Sequence, residues 1–387
     1  MKFCISSENL LKYISGIEKA VSKNNSLPIL DNFHLRIKDN TLNISANDLV
    51  VFASVVIPEI ELKGDETEIE VLMNSSILID TLRRLPKQEI IFSIETNEDT
   101  ASTEIAAIQG KYKIPSKPAN GYPNIPVEKD PDQIIQIESK IFKSAISKTE
   151  FAISNNDAKA ALTGLYFKLI SGTGFDFVAT DAHKLVRYTV FNTTIDRNEG
   201  FIIPKKTLSL LESVYKTNLC NTDYLLLCQL KNYCIIELGP YKLACRLIDD
   251  VFPNYEAIVP KNNHNKLIID RKELFEALRR IELYANHATY QAKFNISANT
   301  LTLSSEDIDF NSHATESLNC TYTGDDLEIG FNAKYLIEIL DKIDSREVNI
   351  ELSQPNKAGL ITPVYNIDEE ENTTKLIMLL MPVTLSH

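Results

Sequence analysis

The one place in this 387-residue chain where residue types and spacing suggest reactive chemistry is Asp181-Ala182-His183, a carboxylate two residues from an imidazole. Such a pair could relay a proton, but no serine, cysteine or threonine nearby has the context of an activated nucleophile. The G-x-S-x-G, H-E-x-x-H, phosphate-loop and dinucleotide-loop signatures are all absent. The six cysteines (Cys4, Cys220, Cys228, Cys234, Cys245, Cys320) contain no C-x-x-C, and the six histidines have no zinc-finger spacing. They read as reduced, buried thiols in a cytoplasmic protein, with neither a metal nor a disulfide. No catalytic residue and no cofactor is expected. What remains is the chemistry of Lys and Arg, which is attraction for anions.

The elements that would position these residues follow from a threefold internal repeat. Residues 33–48 alternate as two strands around an Asp-Asn turn. Residues 165–181 repeat that hairpin with Gly172 and Gly174 in the turn, and residues 292–307 repeat it again. The closing aspartates, Asp48, Asp181 and Asp307, lie 133 and 126 residues apart. An amphipathic helix precedes each hairpin, marked by Leu10, Ile14, Ile17 and Val21, by Phe142, Ala145, Ile146, Ala152 and Ile153, and by Leu274, Phe275, Leu278 and Ile281. A second helix follows at 75–85, 205–216 and 332–342, with Asn74 and Pro204 as start signals for the first two. Further strands come after it, such as 89–95 and 348–352. Gly110-Lys-Tyr-Lys113 and Tyr122-Pro-Asn124 recur as Gly239-Pro-Tyr-Lys242 and Phe252-Pro-Asn254, and linkers are expected at 126–131 and 260–265. The chain therefore divides into three α+β domains, 1–128, 129–262 and 263–387, each with two helices packed on one face of an antiparallel sheet.

A net charge of −13 argues against nucleic acid, because phosphate affinity comes from Lys and Arg. The sum conceals a division. The six helix windows 8–23, 75–87, 139–154, 205–216, 271–284 and 332–342 together carry +8, and the rest of the chain carries −21. Lys12, Lys19 and Lys23 share a helical face, as do Arg83 or Arg84 with Lys87, and Lys140, Lys143 and Lys148 lie opposite Phe142 and Ile146. Repeated over six helices, this pattern suits a polyanion lying against the helices while the acidic remainder repels it elsewhere. No Arg/Asn/Gln cluster is poised to read bases, so binding would be independent of sequence and steeply salt-dependent. No apolar run approaches the ~18 residues a membrane helix requires, and the first eight residues are too polar for a secretory signal.

These features resemble a known family, the bacterial sliding clamp (the beta subunit of DNA polymerase III). The similarity covers the whole chain. It rests on Met1-Lys2-Phe3 with Leu10-Leu11-Lys12 and Leu27-Pro28-Ile29-Leu30; on Ala179-Thr-Asp-Ala-His-Lys-Leu185, which resembles A-T-D-G-H-R-L; on Phe252-Pro-Asn-Tyr255 followed by Pro260-Lys261; and on Met381-Pro-Val-Thr-Leu385, similar to M-P-M-R-L. The resemblance implies a head-to-tail homodimeric ring, with twelve helices lining a bore around double-stranded DNA and a continuous sheet outside. Such a ring is a processivity factor and not an enzyme. The implied subunit contacts are the edge strand around Lys111 to Ser116, including Ile114, facing Leu283 and Tyr284.

The resemblance also implies one peptide groove per protomer, where the replicative polymerase, the clamp loader and repair proteins dock short linear motifs. By motif match its residues are Leu162, Thr180, Ala182, His183, Lys184, Leu185, Pro253 and Ile258, with Leu379, Leu380, Met381, Pro382, Val383, Thr384 and Leu385. His183 is then a groove-lining or core histidine. The family's Gly and Arg are Ala182 and Lys184 here, expected to narrow the groove and weaken anionic contacts; its closing Arg is Thr384, and Ser386-His387 extend past the final Leu. An aromatic pair that some members carry before the groove leucine is Ala160-Ala161. The implied DNA contacts are Lys23, Asn24, Arg83, Asn155, Asn156, Lys159, Lys205 and Lys206. Two other readings stand beside this one: a three-repeat protein-binding scaffold that never encircles DNA, and an enzyme with its site around Asp181 and His183.

Overall fold

The structure, a computed structural model, describes residues 1–22, 27–63, 68–123, 133–191, 195–365 and 373–385. Six α-helices occur among them: α1 (Ser7–Ser15), α2 (Ser75–Arg84), α3 (Ser139–Thr149), α4 (Lys205–Lys216), α5 (Arg271–Glu282) and α6 (Ala333–Asp341). Four begin on a capping side chain: Ser6, Asn74, Asp270 and Asn332 accept the otherwise orphaned N–H groups of Asn9, Ile77, Lys272 with Glu273, and Tyr335. All three hairpins form where the alternation places them, at Asn32–Lys38 with Thr41–Asn47, Gly164–Ile170 with Gly174–Thr180, and Gln291–Ser297 with Thr300–Asp307.

The first helix of the first two repeats is shorter than its apolar periodicity suggests. The chain leaves α1 at Gly16 and continues as a 3-10 turn, Glu18–Ala20. A β-carbon at Gly16 would sit 2.6 Å from the Tyr241 ring, so the close approach of that ring fixes the residue type. After α3, Thr149 turns its buried hydroxyl back onto the carbonyl of Ala145 at 2.6 Å, and a second 3-10 turn follows at Glu150–Ala152.

The chain forms two units, residues 1–143 with 203–247, and residues 144–202 with 248–387. The central repeat is thus divided between them. In the first unit a thirteen-stranded antiparallel sheet runs from first-repeat strands into central-repeat strands, joined where Val51–Ile57 pairs with Tyr241–Arg246 in the register Ala53 to Leu243. In the second unit the same kind of junction joins Lys184–Phe191 to Thr374–Leu380, with Val186 opposite Met378, within a nine-stranded sheet. A separate four-stranded sheet completes that unit, and its edge strand Ser312–Asn319 pairs, among the described residues, only with Thr300–Asp307.

In the first unit, the Tyr241 ring locks the junction. It is 1 % exposed, and its hydroxyl donates to the Tyr13 carbonyl at 3.0 Å across a sequence gap of 228 residues. Tyr241→Phe is expected to cost about 1 kcal/mol, the net value of one hydrogen bond. Tyr241→Ala should cost about 3–5 kcal/mol by opening a cavity beneath Gly16. Urea denaturation monitored by circular dichroism would check both.

Candidate functional site

The Asp181–His183 segment is a turn built by side chains. Asp181 Oδ1 accepts the backbone N–H of His183 and of Lys184, both at 2.9 Å. Thr180 Oγ1 accepts the N–H of Ala182 and donates to the Lys184 carbonyl at 2.7 Å. The remaining Asp181 oxygen takes the Lys184 ammonium at 2.8 Å. His183 meets Asp181 through its main chain, and its exposed ring stacks on Tyr335 at 5.8 Å. Nothing here forms a carboxylate–imidazole relay, and among the described residues no three His, Cys, Asp or Glu side chains converge as metal ligands.

Ala182 is exposed, and its backbone turns through φ 77°, a left-handed conformation that favours glycine. Lys184, in contrast, is held inside. Its side chain is 5 % exposed, ion-paired with Asp181 and with Glu338 at 3.0 Å, and centred 4.2 Å over the Tyr335 ring. Burial pulls its pKa down, but the hydrogen bonds and charges of the two carboxylates outweigh burial and raise it.

Beyond the turn, Leu185 lies opposite Leu379 across the strand junction. Both join Leu162, Ala161, Val178, Ile202, Phe252 and Tyr255 in one apolar cluster, flanked by Tyr166, Val259 and Leu360. Phe252 stacks on Tyr166 with centroids 4.6 Å apart. Tyr255 donates its hydroxyl to Asp176 at 2.8 Å; this fully buried carboxylate also accepts from Thr189 at 2.6 Å and lies 2.9 Å from Arg187 Nε. Burial, and next the charge of Asp176, push the Tyr255 phenol up. The network pins the segment carrying Pro253 and Ile258, both exposed.

The C-terminal segment closes the other side. Met381 N–H donates to the His183 carbonyl at 2.8 Å, and Val383 N–H donates to the Gly330 carbonyl at 2.9 Å. A β-carbon at Gly330 would stand 2.9 Å from the Val383 carbonyl oxygen, so glycine is needed for the tail backbone to lie there. Of the residues expected in the groove, Leu380 is misplaced. It follows Leu379 on the strand, points to the opposite face and is fully buried, so it belongs to the core. The rim is apolar and open, with Ile258 55 % and Met381 47 % exposed. The motif match did not assign Phe252, Tyr255, Tyr335 and Glu338 to the site. The first two lie in a quoted motif, whereas nothing local to α6 signals the last two. An apolar trough of this kind can hold side chains of an extended peptide.

Three family models match in succession: the DNA polymerase III beta subunit N-terminal domain over residues 1–126, its central domain over 136–254 and its C-terminal domain over 256–380. The chain belongs to the DNA polymerase III beta-subunit family. It is similar to the beta sliding clamps of Vibrio cholerae (24 % identical, covering 100 % of both chains) and Staphylococcus epidermidis (26 %, covering 98 % of both). Among solved structures it resembles the Thermotoga maritima beta subunit, at TM-score 0.88 and 21 % identity, and the Pseudomonas aeruginosa sliding clamp bound to griselimycin, at 0.87 and 25 %, each covering 100 % of both chains. The fold is that of three clamp domains, α+β with antiparallel sheets.

Within this family the remaining expected residues divide. Lys23, Asn24, the first linker (126–131) and Ser386-His387 lie outside the described residues. Asn155, Asn156 and Lys159 come together in one exposed loop. Arg83 is engaged with Glu18 at 2.7 Å, Lys206 is paired with Asp48, and Lys205 heads α4 beside it. Lys148 departs from its expected outward position: it is 15 % exposed and paired with Asp344 at 2.7 Å. Lys12, Arg84 and Lys140 remain exposed. Lys111, Leu283 and Tyr284 are exposed, but the Ile114 side chain is 1 % exposed, which leaves its backbone rather than its side chain at the edge.

The strain at Ala182 makes a simple prediction. Ala182→Gly should stabilise the protein by about 0.5–1 kcal/mol, the left-handed penalty for alanine less the extra freedom glycine has when unfolded. A rise in thermal midpoint would show it, and an unchanged or lower midpoint would contradict it.

Proposed function

We propose that this protein acts as a sliding clamp: two copies close head to tail around duplex DNA and tether the replicative polymerase and other DNA-processing proteins. The observation that carries the ring is a pair of strand edges. At both internal junctions, the fourth strand of one repeat pairs with the last strand of the next. Two such edges are left over within the described residues. The fourth strand of the last repeat, Ser312–Asn319, has one partner only, and the last strand of the first repeat, Gly110–Lys117, pairs with Glu68–Asn74 only at Ser116 and Lys117. A second copy satisfies both edges with the junction already used twice. By repeat equivalence, Ile114 would lie opposite Ala314 of the partner subunit. Arg280 grips Glu316 on the free strand through two hydrogen bonds of 2.8 Å, and this sets Leu283 and Tyr284 beside that edge.

The proposed domains are 1–128, 129–262 and 263–387, and the ring is non-catalytic and cytoplasmic. DNA contact is assigned first to exposed cations with no ion pair among the described residues, Lys12, Arg84, Lys140 and Lys159, and next to Arg83, Lys205 and Lys206. Asn155, Asn156, Lys23 and Asn24 would support them. Retention depends on topology, so weak phosphate contacts suffice. The groove around Leu162, Leu185, Phe252 and Leu379 receives short linear motifs from polymerase, clamp loader and repair proteins. A second reading, a scaffold that never encircles DNA, is favoured by no particular observation.

Sedimentation should show a dimer at micromolar concentration, and a monomer for Leu283→Glu with Tyr284→Glu, whose exposed side chains leave the protomer fold intact. Loaded protein should stay on nicked circular DNA and leave when the circle is cut; equal retention on linear DNA would support the scaffold. Lys12→Ala with Arg84→Ala should lower the slope of log affinity against log salt by about 0.9 for each phosphate no longer neutralised.

A further inference from the structure

The groove does not end at Ile258 and Met381. A cavity of 550 Å³ is found elsewhere in the molecule, but the larger one, of 970 Å³, begins at these two apolar rim residues and continues over Lys261, Asn262, Gln354 and Lys357. Its chemistry changes along its length, from aliphatic to amide and ammonium. Lys261 and Lys357 are both exposed and have no ion-pair partner among the described residues, and the single carboxylate in the described lining is Asp325. In a chain of net charge −13, a cavity with two open ammonium groups against one carboxylate is a local reversal of sign.

The other end of the groove lacks this property. Lys184 is neutralised by Asp181 and Glu338 and covered by Tyr335. An acidic group on a ligand would meet two carboxylates there, with the Lys184 cation already paired. At the cavity end two cations stand open instead.

The geometry points to a composite recognition site in which the trough holds the apolar core of a peptide and the Lys261–Lys357 cavity holds an acidic flanking segment of the same peptide. This rests on the groove reading above and adds the class of ligand: linear motifs extended by Asp or Glu on the side that leaves past Ile258 and Met381. The amides of Asn262 and Gln354 can donate to carboxylates and tolerate sequence variation, and the exposed ammonium groups supply orientation more than depth.

Fluorescence polarisation with synthetic peptides tests it. The probes share a core of two leucines and a phenylalanine, extended at one end or the other by four glutamates, four serines or four lysines. At low salt, glutamates at one end should bind about fivefold tighter than serines, and lysines weaker, with the gain shrinking as salt rises. Lys261→Glu with Lys357→Glu should abolish the gain and leave the serine peptide unchanged. Equal affinities for glutamate and lysine peptides, or a gain that survives in the double variant, would overturn the acidic-flank assignment alone. If the serine peptide fails to bind the wild-type dimer at all, the groove reading falls and this assignment falls with it.

Discussion

The rest of the molecule depends on one interaction, the antiparallel pairing of the fourth strand of one repeat with the last strand of the next. Main-chain hydrogen bonds there are indifferent to side-chain identity, so the same junction serves at Ala53 opposite Leu243 and at Val186 opposite Met378 although the residues differ. The pairing makes one sheet from two repeats. It also explains why the central repeat does not stand alone: its strands are shared out between the two units. Because every repeat has both a giving and a receiving edge, a chain of three leaves one of each without a junction partner among the described residues.

The second junction also creates the groove. Placing Leu185 beside Leu379 brings the turn at Asp181 next to the C-terminal segment, and Met381 then donates to His183. Residues almost 200 positions apart thereby form one apolar trough. A buried polar network holds its far wall, with Asp176 receiving Tyr255 and Thr189 beside Arg187. Such a network is costly to leave half-satisfied and so fixes one arrangement of the wall. The trough is packed at its floor and open at Ile258 and Met381.

Electrostatics divides the surface more finely than the repeat alone suggests. Several cations on the helices or just past their ends are committed within the protomer: Arg83 to Glu18, Lys87 to Glu8, Lys148 to Asp344 and Lys206 to Asp48. Pairs with exposed partners contribute little to stability, and a phosphate can compete for the cation. The local excess of positive charge therefore rests on fewer side chains than a count of Lys and Arg implies.

By itself, the sequence determined the three repeats, the hairpins, the presence of six helices with four of them placed within a few residues, and the family motifs that hold Leu162, Leu185 and Leu379, because alternation, helical periodicity and capping side chains act over short stretches of chain. Those motifs also carried the groove turn. Only the tertiary structure decided the rest. The residue that follows helix α1 must be glycine, Gly16, because a tyrosine 225 residues away occupies the space above it. Ile114 and Leu380 turn inward, and the Lys184 charge is cancelled by Glu338 from a helix more than 150 residues downstream. Burial and charge pairing are properties of neighbours in space, and strand register, not sequence distance, chooses those neighbours.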